Sequence, residues 1–403
     1  MSLRVVLNVQ SLSPPLTGVG RYTFQILCAL MASSRIEGVQ CFSDWGWINP
    51  DKALKKALAG ATPDDGRLDV PAPGKMKRHD NRARIRRVIR AIPGAYALRF
   101  KIRDLAFHWQ ARSGGRAVYH EPNYVLRPFY GPRVLTVHDI SHLRYPAFHP
   151  VERVRHLEKH LPRSLAQADQ VITVSAFSKK ELVDFMNVPE GMVTPVPLGV
   201  DPACHPRSSE ETARLLRPIG LAHGGYLLVV ATMEPRKNLP RLVSAFAALP
   251  DSLRSRFPLV IAGAPGWGPP LSVSGMAALE AKGQIRRIGY VSEAALPLLY
   301  AGAGGFAFPS LYEGFGLPPL EALASGVPVL TSGVASLPEV VGDAAILVNP
   351  QDTDDIHRGL LRLLTDDDFR ARAALDGPRR AAGFSWERCA RETIAVYARA
   401  FGR

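Results

Sequence analysis

An α/β protein with two doubly wound, mainly parallel sheets is the fold class this sequence predicts, and three observations predict it. At 403 residues the chain exceeds the size at which a single core stops growing, roughly 250–300 residues. Strand-like apolar runs alternate with helical stretches from end to end, as in α/β architecture. The alternation breaks once, at the turn-rich "GVDPACHPRSS", and then restarts.

In order, the first half reads as strands near Val5–Val9, Val39–Phe42, Ala117–His120, Val134–His138 and Gln170–Ser175, closed by Val193–Val200. Between the first two, "SLSPPLTGVGRYTFQILCAL" places Gly18 and Gly20 before a helix expected to turn Phe24, Leu27, Cys28 and Leu30 inward. The second half supplies Tyr226–Ala231, Pro258–Ala262, Ile285–Tyr290, Gly305–Pro309 and Val327–Thr331. Residues 1–203 form one expected domain and 204–383 the other. The tail, 384–403, has helical apolar spacing after Gly383 and either caps the second domain or crosses back to the first. Paired sheets of this kind leave a cleft between their carboxyl-terminal strand ends, where ligands sit.

Composition narrows the class. The four cysteines, Cys28, Cys41, Cys204 and Cys389, lie far apart without CxxC pairing, which argues against a disulfide scaffold or zinc cluster. No apolar run approaches the ~18 residues of a membrane span, and "MSLRVVLNVQ" reads as a strand, not a signal peptide. The expected location is cytoplasmic. The formal net charge is +14, but residues 71–116 hold thirteen Lys and Arg against Asp80 and Asp104. A charge so concentrated points to one anionic partner surface.

The chemistry gathers in the second half. "PSLYEGFGLPPLEALASGVPVL" sets Glu313 and Glu321 eight positions apart, around a Gly314–Gly316 loop at a strand end. Pro318 or Pro319 suits a first helical turn, and Glu321 is expected in or near that turn, where the helix dipole favours an anion. Carboxylates flanking a donor-rich loop suit a polyhydroxyl ligand. "VVATMEPRKNLPRLVSAF" places Arg236 and Lys237 where a strand opens into a helix, the form of a phosphate clamp.

The strand–Glu-Pro-Arg-Lys-Asn–helix and the E-x7-E pair together resemble the retaining family-4 glycosyltransferases of the GT-B fold. The likeness continues through "VITVSAFSKKEL", "VPLGVD", "LVIAGAPGWG", "IRRIGYVS" and "SLPEVVGDAA", nearly the whole chain. In "EPNYVLRPF", "TVHDISHLRYPAFHP" and "RVRHLEKHLPRSLAQAD" it is similar to bacterial enzymes that move mannose or a related sugar from a GDP-sugar into polysaccharide. The resemblance implies that Arg236 and Lys237 hold the donor diphosphate and that Glu321 accepts from the ribose. It implies that Glu313 and the backbone of Gly314, Phe315, Gly316 and Leu317 hold donor-sugar hydroxyls. Tyr290 and Val291 would cradle the base, and His138 would touch the sugar's C6 hydroxyl without acting as a base.

The loop carrying Gly18 and Gly20 lacks the third glycine of a dinucleotide fingerprint; the resemblance brings it to the donor phosphates, with Arg21 either adding charge or lying on the surface. His120 is a second cleft candidate. Asp352-Thr353-Asp354 and Asp366-Asp367-Asp368 precede helical stretches, so capping explains them. No cofactor and no metal is expected.

In the basic segment, Ile85, Val88, Ile89 and Ile92 share one stripe with Arg84, Arg86, Arg87 and Arg90 off it, and Leu98, Ile102, Leu105 and Trp109 repeat the pattern. Such helices either lie on an anionic membrane or pack on the first domain with a solvated face. Nucleic acid is not expected, since no nucleic-acid module accompanies the charge. The expected function is metal-independent, retaining transfer of a hexose, led by mannose from GDP-mannose, to a glycan or lipid-diphosphate-linked acceptor. The rivals are a GT-B sugar-nucleotide hydrolase or epimerase, and a non-enzymatic basic lipid- or nucleic-acid-binding protein.

Overall fold

The computed structural model describes residues 3–13, 16, 18–43, 46–58, 117–268 and 271–402. The expected basic helices of residues 71–116 lie outside the described residues. Two sheets form. The first has the order β3-β2-β1-β4-β5-β6-β7: β1 is Leu3–Asn8, β2 Ile36–Ser43, β3 Gly46–Ile48, β4 Ala117–Glu121, β5 Arg133–Val137, β6 Gln170–Thr173 and β7 Val193–Pro195. All its pairings are parallel except β2 with β3. The second is wholly parallel in the order β10-β9-β8-β11-β12-β13. Its strands are β8 Leu227–Val230, β9 Leu259–Ala262, β10 Ile285–Gly289, β11 Gly305–Phe308, β12 Val329–Ser332 and β13 Ala345–Val348.

The central strands are mainly apolar runs with both faces covered, as parallel strands between helices must be; β6, β9 and β11 are buried at every position. Strand order reverses beside β1 and again beside β8, and each reversal opens a crevice at the strand ends. Two strands were not expected. β3 has three residues, too few for alternation to register, and β13 is an edge strand with Leu347 facing out. The helix Gly18–Ala32 does not turn Phe24 and Cys28 fully inward. Its buried face is Tyr22, Thr23, Ile26, Leu27 and Leu30, rotated because the last helix packs on that side.

That last helix, Trp386–Phe401, is capped by Ser385 accepting from the Arg388 amide, and it packs against Gly18–Ala32 and strands β4 to β6. It therefore belongs physically to the first sheet. The chain crosses between sheets twice, and the crossings touch where the Val200 amide donates to Phe384 O at 3.1 Å.

His120 lies where the last helix packs on the first sheet, not in the cleft. It is fully buried, with Nδ1 2.7 Å from the Tyr397 hydroxyl and Nε2 2.8 Å from Thr136 Oγ1. Burial pushes its imidazole down to about 3, against an ordinary value of 6.5. The unfolded chain therefore takes up this proton first. The stability tied to neutral His120 is complete above pH ~6.5 and drains away as the pH falls toward 3. Thermal midpoints measured from pH 7 to pH 4 should fall, and His120→Gln should flatten that slope; an equally steep slope in the variant would contradict the assignment.

No helix among the described residues is long and apolar enough to cross a membrane.

Candidate functional site: a charged cluster between the two sheets

The chain leaves β8 through a short 3₁₀ turn, Pro235–Lys237, and Asn238 then adopts a left-handed conformation (φ 58°) that starts the helix Leu239–Ala247. Asn238 tolerates this backbone and is held by donating Nδ2 to Pro309 O (2.9 Å) and Pro350 O (2.7 Å). The turn is thus pinned to the carboxyl end of β11, the strand that delivers Glu313. Arg236 and Lys237 are aimed at that loop.

The sequence treats the Arg-Lys pair and Glu313 as two binding elements; the structure joins them. Glu313 Oε2 accepts from Arg236 Nη1 and its Oε1 from Lys237 Nζ, both at 2.7 Å, while Ser310 Oγ donates to Oε1 at 2.7 Å. Glu234 Oε1 takes the other arm of Arg236 at 2.9 Å. Two cations and two carboxylates balance in a nearly dry pocket. Burial, reinforced by Arg236, lowers the Lys237 ammonium below its ordinary value. Burial alone would raise the Glu313 carboxyl, but Arg236 and Lys237 outweigh it and hold it below the usual range.

Glu321 sits a full turn inside the helix Leu317–Ala324, not in its first turn, so the helix dipole is not what holds it. Pro318 and Pro319 occupy the start of that helix. Glu321 is buried, and burial raises its carboxyl despite Arg21, which donates from the opposite sheet's helix to Oε1 at 2.7 Å. Arg21 also pairs with Glu293 at 2.6 Å. Arg21 therefore spans the cleft instead of lying on the surface.

The remaining predicted residues line the same interface. Gly18 and Gly20 begin the helix that carries Arg21; a Cβ on Gly20 would meet Ser11 O at 2.9 Å, so the loop closes tightly there. A Cβ on Gly314 would lie 2.1 Å from His138 O, so the two sheets meet backbone to backbone at this glycine. Ser178 Oγ bridges the contact, reaching His138 O and Gly314 O at 3.1 and 3.2 Å. Phe315 is buried, Gly316 (φ 121°) precedes the helix and Leu317 opens it; Pro318 and Pro319 carry no amide hydrogen and the Leu320 amide donates to Gly316 O at 3.3 Å, so the first turn itself offers a ligand only the Leu317 amide. Tyr290 is exposed and Val291 buried just past β10, beside Glu293.

His138 donates Nε2–H to Pro122 O at 2.9 Å, since a carbonyl only accepts, and this leaves Nδ1 as the acceptor nitrogen. Its ring meets Tyr22 edge-on at 5.0 Å, and burial lowers its basicity. Asp139 follows, fixed by Ser141 and by the Tyr124 hydroxyl at 3.0 Å. Arg236 and these bonds outweigh the effect of burial and bring the Asp139 carboxyl down to about 2.

Sequence reasoning missed Glu234, Glu293, Asp139 and Glu339. Glu339 accepts from the Ala176 and Phe177 amides at 3.0 and 3.1 Å, a carboxylate on the amino end of the other domain's helix. The signal for Glu234 and Asp139 was present, since Asp139 follows His138 directly and Glu234 stands two residues before Arg236. Asp352 and Asp366 are helix caps, accepting from the Asp354 and Asp355 amides and from the Phe369 amide. Among the described residues no group of three or more His, Cys, Asp or Glu is arranged to hold a metal.

Comparison with known proteins fits this arrangement. The family described as "Glycosyl transferases group 1" matches residues 222–380, and "Glycosyltransferase Family 4" matches 64–203. O-antigen chain mannosyltransferase B of Escherichia coli is 37% identical over 395 residues, 98% of this chain and 99% of that one. The chain belongs to the family-4, group-1 glycosyltransferases. This glycosyltransferase has the GT-B fold. Sucrose-phosphate synthase from Thermosynechococcus elongatus is similar in structure at a TM-score of 0.69 and 20% identity, covering 99% of both chains. WaaG, a glycosyltransferase involved in lipopolysaccharide biosynthesis, aligns at 0.67 and 18%, covering 97% of this glycosyltransferase and 99% of WaaG.

Proposed function

We propose that this glycosyltransferase moves a mannosyl group from GDP-mannose, with retention and without a metal, onto a glycan or lipid-diphosphate-linked acceptor in cell-surface polysaccharide synthesis. The observation that carries the reading is the buried Arg236–Lys237–Glu313 cluster, placed where the second sheet's strand ends face the helix bearing Arg21. A departing nucleoside diphosphate gathers negative charge. Arg236 and Lys237 are preorganised to meet it in a water-poor pocket, where such donors act most strongly. Glu321 has the hydrogen-bonding capacity for a ribose, and Glu313, turning from its cations as the diphosphate takes them, for sugar hydroxyls.

Mannose is favoured by the near full-length similarity to a protein named as an O-antigen chain mannosyltransferase. Metal independence is favoured because two buried cations supply the neutralisation and the aspartate pairs are engaged as caps. Retention without a protein nucleophile is favoured because Glu313, once its cations turn to the diphosphate, is taken up by sugar hydroxyls, and His138 is weakly basic. The acceptor hydroxyl's proton then passes to a phosphate oxygen on the face from which the diphosphate departs. The cytoplasmic face of a membrane is the fitting location, with residues 71–116 as the attachment.

The test is incubation of the full chain with GDP-mannose and an alkyl α-mannoside, following product configuration by NMR. An α-linked product formed equally well in EDTA is expected. Activity abolished by EDTA and restored by magnesium, or a β-linked product, would refute the reading; mannose released without transfer would point to a hydrolase.

A further inference from the structure

Beside the clamp is a polar cluster that donor chemistry leaves unused. His142 and His149 are 1% and 8% exposed, and among the described residues neither imidazole has a hydrogen-bond partner at either nitrogen. Glu234, 7% exposed, gives Oε1 to Arg236 and leaves Oε2 equally unpartnered. Buried polar atoms are nearly always paired, so five orphans in one neighbourhood call for a ligand.

The walls of this neighbourhood come from both sheets. Asp139, His142 and His149 belong to the first; Glu234 and Trp267 belong to the second. Trp267 donates its indole N–H to Phe148 O at 2.7 Å and stacks on His149 at 6.1 Å. His142 meets Tyr124 edge-on at 5.7 Å, and the Tyr124 hydroxyl holds Asp139. Contact between the sheets closes the site, so a ligand entering the open cleft would be enclosed with these groups.

We infer that the buried cluster of Asp139, His142, His149, Glu234 and Trp267, where the two sheets meet, is a subsite for the terminal sugar of the acceptor, reached when the sheets part and enclosed when they close. The chemistry selects that ligand. Neutral imidazoles offer one donor and one acceptor each, the complement of vicinal hydroxyls. Asp139 and Glu234 are matched by Arg236 and by Arg153, whose guanidinium lies over the Trp267 ring at 5.6 Å, so the walls balance in charge and suit a neutral sugar. Burial keeps both imidazoles uncharged at neutral pH, His142 down to about 4. Because Glu234 binds the clamp through its other oxygen, the subsite adjoins the position proposed for the leaving diphosphate. That is where an acceptor hydroxyl must stand for attack on the departing face. The inference rests on the proposed transfer.

The test uses GDP-mannose with an octyl α-mannobioside. His142→Leu and His149→Leu should each raise the acceptor KM by about tenfold or more, since a site built to hydrogen-bond a hydroxyl loses most when its partner is removed. Donor KM and acceptor-free GDP release should stay within about twofold, and His149→Gln should recover part of the loss. Unchanged acceptor KM in both Leu variants, or a donor KM rising in step, would overturn the subsite. Independently, the mannobioside added to GDP-saturated wild-type enzyme should move the two imidazole NMR signals that the Leu variants remove. Transfer without any such movement places the acceptor elsewhere, or leaves ordered water as the sole occupant, and overturns the inference. Movement without transfer supports the subsite and overturns the transfer reading alone; neither overturns both.

Discussion

Lys237→Ala is expected to lower kcat by ~100-fold or more, the usual consequence of losing one charge-stabilising donor in a preorganised site. The local structure should survive the change. Glu313 keeps Arg236 on Oε2 and Ser310 on Oε1, both at 2.7 Å, so its carboxylate is not left bare. The deficit therefore belongs in kcat more than in donor KM, because the interaction strengthens as charge builds on the leaving group. Arg236→Ala differs. Arg236 also holds Glu234 and the Tyr312 carbonyl, so its loss leaves buried carboxylates under-compensated and costs stability, about 3–5 kcal/mol for a broken buried pair. Steady-state kinetics beside a thermal melt separate the two outcomes. Wild-type turnover in a folded Lys237→Ala protein would refute the clamp.

Gly314→Ala should be nearly as damaging although it removes no functional group. The added carbon would lie 2.1 Å from His138 O and 3.0 Å from Asp139 Cβ. Backbone stands on both sides, so the overlap is relieved only by separating the sheets. Displacement of about 1 Å between reacting groups can cost ~100-fold in rate, and kcat/KM should fall on that order. Small-angle scattering should report a larger radius of gyration. A variant with native dimensions and native rate would show that closure at this glycine is not part of catalysis.

Much of this architecture was legible in the sequence, for identifiable reasons. Strands β8, β9 and β11 are short unbroken apolar runs bounded by turn residues, which is how a strand buried on both faces must read. Arg236 and Lys237 could be singled out because their position at a strand end is a local property of the chain. What escaped was pairing at a distance. Arg21 and Glu321 are 300 positions apart, and nothing near either announces the other. His120 stands at a strand end as a cleft residue would; Tyr397, on a helix 277 positions later, makes it part of a joint. Glu321 stands just past the first turn, which holds both prolines as expected, but it is Arg21 from the other sheet's helix that engages it, not the dipole. For Arg21 and Glu321 it is the docking of one sheet on the other, and for His120 the return of the last helix to the first sheet, that decides what the side chain does, and local pattern carries no record of either.

The central claim is that the nucleotide sugar lies between the sheets with its diphosphate on Arg236 and Lys237. A structure of the complex with GDP-mannose tests it most directly. The account predicts diphosphate oxygens at hydrogen-bonding distance, ~2.7–3.2 Å, from both side chains, with the ribose on Glu321. A nucleotide bound away from Arg236 and Lys237 would contradict it.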